Sequence, residues 1–307
     1  MTDPQVIIEA KFESDKHLTV CSSKSVQLYN LQPMTSKFVN NGGPFIHAAY
    51  SSEYLFAVAN SDTPPYIPSF VIIFQISTGA FVRSIEFTAD IIGLEATSSY
   101  LFVSLTSSIQ VVDIETFHLI STLERSCKIG NLVATDSYVA YCDDEKPGVV
   151  VICSVPGFSV LRQIQCHKDP IAMMANSNDG KILITASNVG TLVRMFSIEE
   201  GEKINELRRG YRQSVIISAS SNESLTCCVS PTTLHIFLPD RQHITVPINV
   251  HPIICKALGL SVAVVDTDGI LSVYKVDGIN GTAKVLTQHR LFSAVLSENS
   301  RKRRITI

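Results

Sequence analysis

Arg208 and Arg209 stand side by side in the run NELRRGYRQ, from Asn205 to Gln213, within a chain of 307 residues whose formal net charge is −3. A guanidinium is permanently charged and presents a planar fork of donors that matches phosphate oxygens better than a lysine point charge does. Neighbouring side chains on an extended segment point to opposite faces, so the two arginines should serve two separate sites rather than converge on one ligand. Gly210 lets the chain turn closely past them. On charge pattern alone the same pair also reads as a solvated face, or as partners for the nearby Glu202 and Glu206.

Little else in the sequence could do chemistry. GxSxG, HExxH, Walker and GxGxxG patterns are absent, and the eight histidines are dispersed, so neither catalysis nor a cofactor is expected. The run CDDEKPG brings together Asp143, Asp144 and Glu145, but Pro147 and Gly148 mark it as a solvated turn. The eight cysteines form no CxxC pair and sit mostly in apolar runs, as small core residues of a reducing compartment rather than a disulfide framework or a metal site. The acidic balance gives no global reason to bind nucleic acid, so any anion site must be local. The N-terminus lacks the pattern of a secretory signal, and no apolar run reaches the ~20 residues of a membrane span. A cytoplasmic protein that meets membranes only peripherally is the expectation.

The elements that must position these groups are strands. Short runs rich in Val, Ile, Phe and Tyr recur between Ser, Asn, Asp, Gly and Pro, as in YLFAVAN then SFVIIFQIS, YLFVSLT then SIQVVDIE, and KILITAS then TLVRMFSI. Each pair is followed by a third, more polar run such as AFVRSIEF, HLISTLE or KINELRRG. The phrase repeats at roughly 40 residues, the period of propeller blades built from four-stranded antiparallel sheets. Seven blades are expected, near 5–34, 38–88, 91–125, 129–166, 167–209, 211–248 and 251–292, giving an all-β, seven-bladed, WD-repeat-like β-propeller over 1–296. Closing the ring hides sheet edges that would otherwise invite aggregation, and a monomer is expected. The remainder, 297–307, carries Arg301, Lys302, Arg303 and Arg304 and reads as a disordered basic tail, a nuclear address or a weak contact with anionic lipid.

The stretch from His167 to Phe237 resembles the PROPPIN family, the phosphoinositide-binding propellers that include the WIPI proteins of autophagy. Three phrases in order carry the resemblance: TASNVGTLVRMFS, LRRG and TTLHIF. Leu207 before the arginines is the variant of the LRRG branch, and the second and last blades are also similar to the family's. The resemblance implies two inositol-phosphate pockets flanking the motif. His167, Ser187, Thr191, Arg194 and Arg208 match the first; Arg209, Thr233 and His235, with Ser230, match the second. It further implies recognition of phosphatidylinositol 3-phosphate and phosphatidylinositol 3,5-bisphosphate head groups on preautophagosomal and endosomal membranes, and recruitment of an autophagy lipid-transfer protein. Two departures stand out. The turn in CCVSPTTLHIF is shorter than the family's, and only LPDRQH separates TLHIF from ITVPI, where the family carries a long membrane-dipping loop. These shortenings motivate an alternative, a protein-only scaffold that has lost lipid binding.

Overall fold

The structure is a computed structural model that describes residues 5–124, 132–143, 145–248 and 250–292. The basic tail, Cys127 and Asp144 lie outside the described residues.

Among the described residues, twenty-eight strands assemble into seven four-stranded antiparallel sheets, each made of four consecutive strands. The blades span 7–40, 45–86, 93–124, 132–165, 171–208, 218–247 and 252–290. In each blade the second strand is buried almost throughout, as in Tyr54–Ala59, Ile182–Ser187 and Ser261–Asp266, because a neighbouring blade covers each of its faces. A strand covered on both faces has no reason to alternate, and the sequence accordingly reads as continuous apolar runs. The outermost strands are exposed along most of their length and hold on by isolated anchors: Leu123 within Leu119–Glu124 and Ile164 within Val160–Gln165.

The core is divided into seven clusters, one between each pair of neighbouring blades. The cluster that closes the ring joins Ile7, Leu18, Val20 and Tyr29 of the first blade to Ala263, Val265, Leu271 and Leu291 of the last. Both terminal blades supply all four of their own strands, so closure rests on this side-chain packing and on the Tyr29 hydroxyl, which donates to the Leu291 carbonyl.

The expected end of the first blade at residue 34 is corrected. Met34–Asn40 is its fourth strand, pairing Val26 with Asn40 and Leu28 with Phe38. Phe38 fills the cluster between the first two blades, which holds this otherwise polar segment on the first sheet. No helix among the described residues is long and apolar enough to cross a membrane.

Candidate functional site

The fifth blade comprises Ile171–Asn176, Ile182–Ser187, Leu192–Ser197 and Lys203–Arg208. Register places Arg194 opposite Glu206 and Leu192 opposite Arg208, so Arg194, Glu206 and Arg208 lie on one face of the sheet. Phe196, two residues beyond Arg194, packs into the cluster with the fourth blade, so this face looks toward that blade. Val193 and Leu207 pack toward the sixth blade, and Arg209, two residues after Leu207, falls on their side. The Arg209 amide still donates to the Thr191 carbonyl at 2.9 Å, so the strand geometry that separates the two arginines extends through the pair.

Two glycines set the walls. Gly148, in the hairpin after Tyr138–Asp143, has φ +77, and a Cβ there would lie 2.0 Å from the His167 carbonyl oxygen. Its own carbonyl accepts from the amides of Cys166 and His167 at 2.8 and 3.2 Å. Gly190, in the equivalent hairpin of the fifth blade, has φ +64, and a Cβ there would lie 1.9 Å from the Ser214 carbonyl oxygen. Only glycine permits these hairpins to press against the segments that link one blade to the next. Glu145–Gly148 form a turn, with the Glu145 amide donating to Asp143 Oδ1 at 3.0 Å, and Pro147 and Gly148 are also a wall of the first crevice.

That crevice, of about 450 Å³, opens between the fourth and fifth blades and is lined by Pro147, Gln165, Cys166, His167, Lys168 and Arg194. Arg194 Nε donates to Glu206 Oε2 at 2.8 Å and Nη1 to the Cys166 carbonyl at 2.8 Å. Glu206 also accepts from Lys203 Nζ at 3.0 Å, and the two cations hold its carboxyl below the usual range. His167 Nε2 lies 3.0 Å from Thr185 Oγ1. Burial first, and then the charge of Arg194, push its pKa down to about 4, so the ring is neutral at pH 7. Ser187 is buried, and Thr191 is half-buried in the hairpin beside Gly190. Arg208 shares the crevice's face but is exposed, with its guanidinium 5.2 Å from the centroid of the exposed Tyr211 ring. The structure therefore brings His167 and Arg194 together and leaves the Arg208 head group at the outer rim.

The second set of matched residues lies between the fifth and sixth blades. Arg209 Nε donates to the Gly190 carbonyl at 2.7 Å, and Nη2 donates to the Arg212 carbonyl. The sixth blade turns from Thr226–Ser230 to Thr233–Phe237 through Pro231 and Thr232 alone. Ser230 Oγ is 2.6 Å from Thr233 Oγ1, which lies 2.8 Å from His235 Nε2. His235 Nδ1 is in turn 3.0 Å from His243 Nε2, whose ring stacks on Phe237. Burial, His243 and Arg209 push the His235 pKa down to about 4. In the short loop that follows, Leu238 packs against the cluster shared with the last blade, while Arg241 is exposed.

Sequence reasoning missed Thr185, Glu206 as the partner of Arg194, Lys168, His243 and the wall formed by Gly148. Strand register could have placed Glu206 opposite Arg194, whereas the contact between Gly148 and His167 joins parts of the chain that carry no local signal. Among the described residues no group of three or more His, Cys, Asp or Glu side chains is arranged to hold a metal ion.

The PROPPIN family model matches residues 27–250, well over half of the chain. The chain belongs to the PROPPIN family. It is 28% identical over 248 residues to autophagy-related protein 21 of Schizosaccharomyces pombe, covering 78% of this chain and 72% of that protein. To autophagy-related protein 18 of Yarrowia lipolytica it is 25% identical over 251 residues, covering 72% of this chain and 63% of the relative. This PROPPIN chain thus spans less than two thirds of the Yarrowia protein. Among solved structures, Kluyveromyces lactis Hsv2 shares the fold at a TM-score of 0.79 and 16% identity, with 94% of this chain and 100% of that one covered. A complex of KlAtg21 with the coiled-coil of AgAtg16 contains a chain at a TM-score of 0.77 and 22% identity, covering 93% and 99%. The partner in that complex is a coiled coil, not the lipid-transfer protein implied by the resemblance.

Proposed function

We propose that this PROPPIN is a non-enzymatic reader of phosphorylated inositol lipids, which docks peripherally on preautophagosomal and endosomal membranes and scaffolds autophagosome formation. Phosphatidylinositol 3-phosphate and the 3,5-bisphosphate are its ligands. The observation that carries this reading is the divergence of Arg208 and Arg209 onto opposite faces of the fifth blade, with the neutral, buried His167 beside Arg194 on the first face and the neutral, buried His235 near Arg209 on the second. Neutral histidines and small hydroxyls complement phosphate oxygens without filling the space a head group needs. A coiled coil, as in the neighbouring Atg21 complex, and a lipid-transfer protein are the partner classes a scaffold at that surface would gather.

Flotation with vesicles tests the reading. Wild-type protein is expected to rise with vesicles containing phosphatidylinositol 3-phosphate and to stay behind with vesicles lacking phosphorylated inositides. The short Leu238–Gln242 loop supplies little apolar area, and stable peripheral anchoring takes two signals together. Arg208→Thr/Arg209→Thr protein is expected to lose recovery, and equal recovery of the two proteins would refute the proposal. A second reading, a scaffold for proteins alone, is favoured by the pairing of Ser230 with Thr233, which turns the second set's hydroxyls on each other. It takes over if wild-type protein floats with no phosphoinositide vesicle.

A further inference from the structure

Beside the first crevice, Glu206 has no place in the set of phosphate-matching residues, yet it is bonded to one of them, Arg194. Its carboxylate sits on the same sheet face as Arg194 and Arg208, opposite Arg194 in register and two residues before Arg208. It takes the Arg194 Nε–H at 2.8 Å, and the Cys166 carbonyl takes an N–H from Nη1. A guanidinium has five N–H donors, so two are committed and three remain for a ligand. With Nε committed, the edge formed by Nε and Nη2 cannot receive a phosphate bidentately.

The charges set a second limit. Arg194, Arg208, Lys168 and Lys203 stand on the positive side, and Glu206, which Lys203 touches at 3.0 Å, and Asp169, whose charge acts on His167, stand on the negative side. His167 is neutral at pH 7. The balance is a surplus of two positive charges, matched by one phosphate monoester, which carries about −1.5 to −2 at pH 7. A second phosphate on the same ring would enter a crevice already neutralised and would meet a carboxylate.

We infer that Glu206 is a positioning and selectivity residue. It fixes the Arg194 guanidinium and restricts the first crevice to a single phosphate monoester, so that the 3-phosphate head group is favoured there over the 3,5-bisphosphate. This rests on the phosphoinositide reading above and sharpens it.

Calorimetry with short-chain, soluble phosphatidylinositol 3-phosphate and 3,5-bisphosphate, whose 1-phosphate stays a diester, tests it, in an Arg209→Thr background that removes the arginine of the second set. The parent should bind the short-chain 3-phosphate, which carries one phosphate monoester, more tightly than the short-chain 3,5-bisphosphate, which carries two. Glu206→Gln keeps an oxygen to accept from Arg194 but removes the charge, and should shift the affinity ratio toward the 3,5-bisphosphate by roughly tenfold, as expected for removing a like charge nearby in a partly solvated site. Glu206→Asp, which keeps the charge, should leave the ratio within about threefold of the parent. The inference is overturned if Glu206→Gln leaves the ratio unchanged, or weakens both ligands equally, while its melting temperature matches the parent's. If the parent and the unmodified protein bind neither head group, it is the phosphoinositide reading itself that fails. Surface ion pairs contribute little to stability, so all these variants should fold.

Discussion

Acid should loosen this propeller through two histidines, and the effect can be isolated by replacing them. In the folded protein His167 and His235 each hold off protonation until about pH 4. In the unfolded chain the same rings titrate near 6.5. Between these values the unfolded state binds more protons, so the stabilising contribution is full above pH 6.5, falls as pH falls, and is gone below about pH 4. Both residues are only 5% exposed, so solvent screens the effect little. A tenfold difference in proton affinity between the folded and unfolded chain is worth about 1.36 kcal/mol, which puts the loss between pH 7 and pH 5 at about 2 kcal/mol for each ring. The whole protein will not show the sum, because Glu13 acts in the other direction. Its carboxyl is pushed up to about 7 by burial, so it gives stability that is lost as pH rises through 7 and grows as pH falls toward its ordinary value. The informative comparison is therefore urea unfolding of wild type against His167→Gln/His235→Gln at pH 7, 6 and 5 and fixed ionic strength. The gap in stability between the two proteins should change by about 4 kcal/mol across that range, wild type losing more on acidification. Parallel pH dependence would refute the account, as would histidine ring proton shifts that titrate above pH 6 in the folded protein.

Two further perturbations test the scaffold. Gly190→Ala places a Cβ against the Ser214 carbonyl at a left-handed φ, and should cost more than about 2 kcal/mol in unfolding free energy; a melting temperature within about 2 °C of wild type would contradict the close approach. Tyr29→Phe removes the hydroxyl that donates to the Leu291 carbonyl where first and last blades meet, and should cost about 1–2 kcal/mol by the same measurement, with faster amide exchange in the last blade's strands.

The propeller was legible because burial on both faces writes itself into sequence. A strand such as Tyr138–Asp143, covered by a blade on either side, is apolar almost throughout, and short polar turns separate one such run from the next. Legibility failed where one contact decides an element. Met34–Asn40 is polar apart from its first residue and Phe38–Val39, and its place in the first blade depends on where the Phe38 ring packs. The same contrast holds at the site. The divergence of Arg208 and Arg209 follows from strand alternation, a local rule, and the register of the fifth blade carries it out. The neutrality of His167 does not follow from any local rule, since it depends on burial between two blades and on a guanidinium that arrives from 27 positions further along the chain.

The two sets of matched residues also differ in a way that counting does not reveal. By sequence the first has nearly its full set and the second has a shortened turn. In the structure the second is the more tightly organised: Arg209 is tethered to two carbonyls, and Ser230, Thr233, His235 and His243 form a continuous chain of hydrogen bonds. A head group entering there must compete with bonds already made, at a net worth of roughly 0.5–1.5 kcal/mol each. The first crevice keeps three N–H donors on Arg194, with Arg208 exposed at its rim, so a phosphate gains contacts there while displacing fewer internal ones. Beside the two-residue turn of Pro231 and Thr232, the side chains of the second set are thus bonded to one another. Under the proposed function, the larger share of head-group affinity is therefore expected between the fourth and fifth blades, where Glu206 accepts from Arg194.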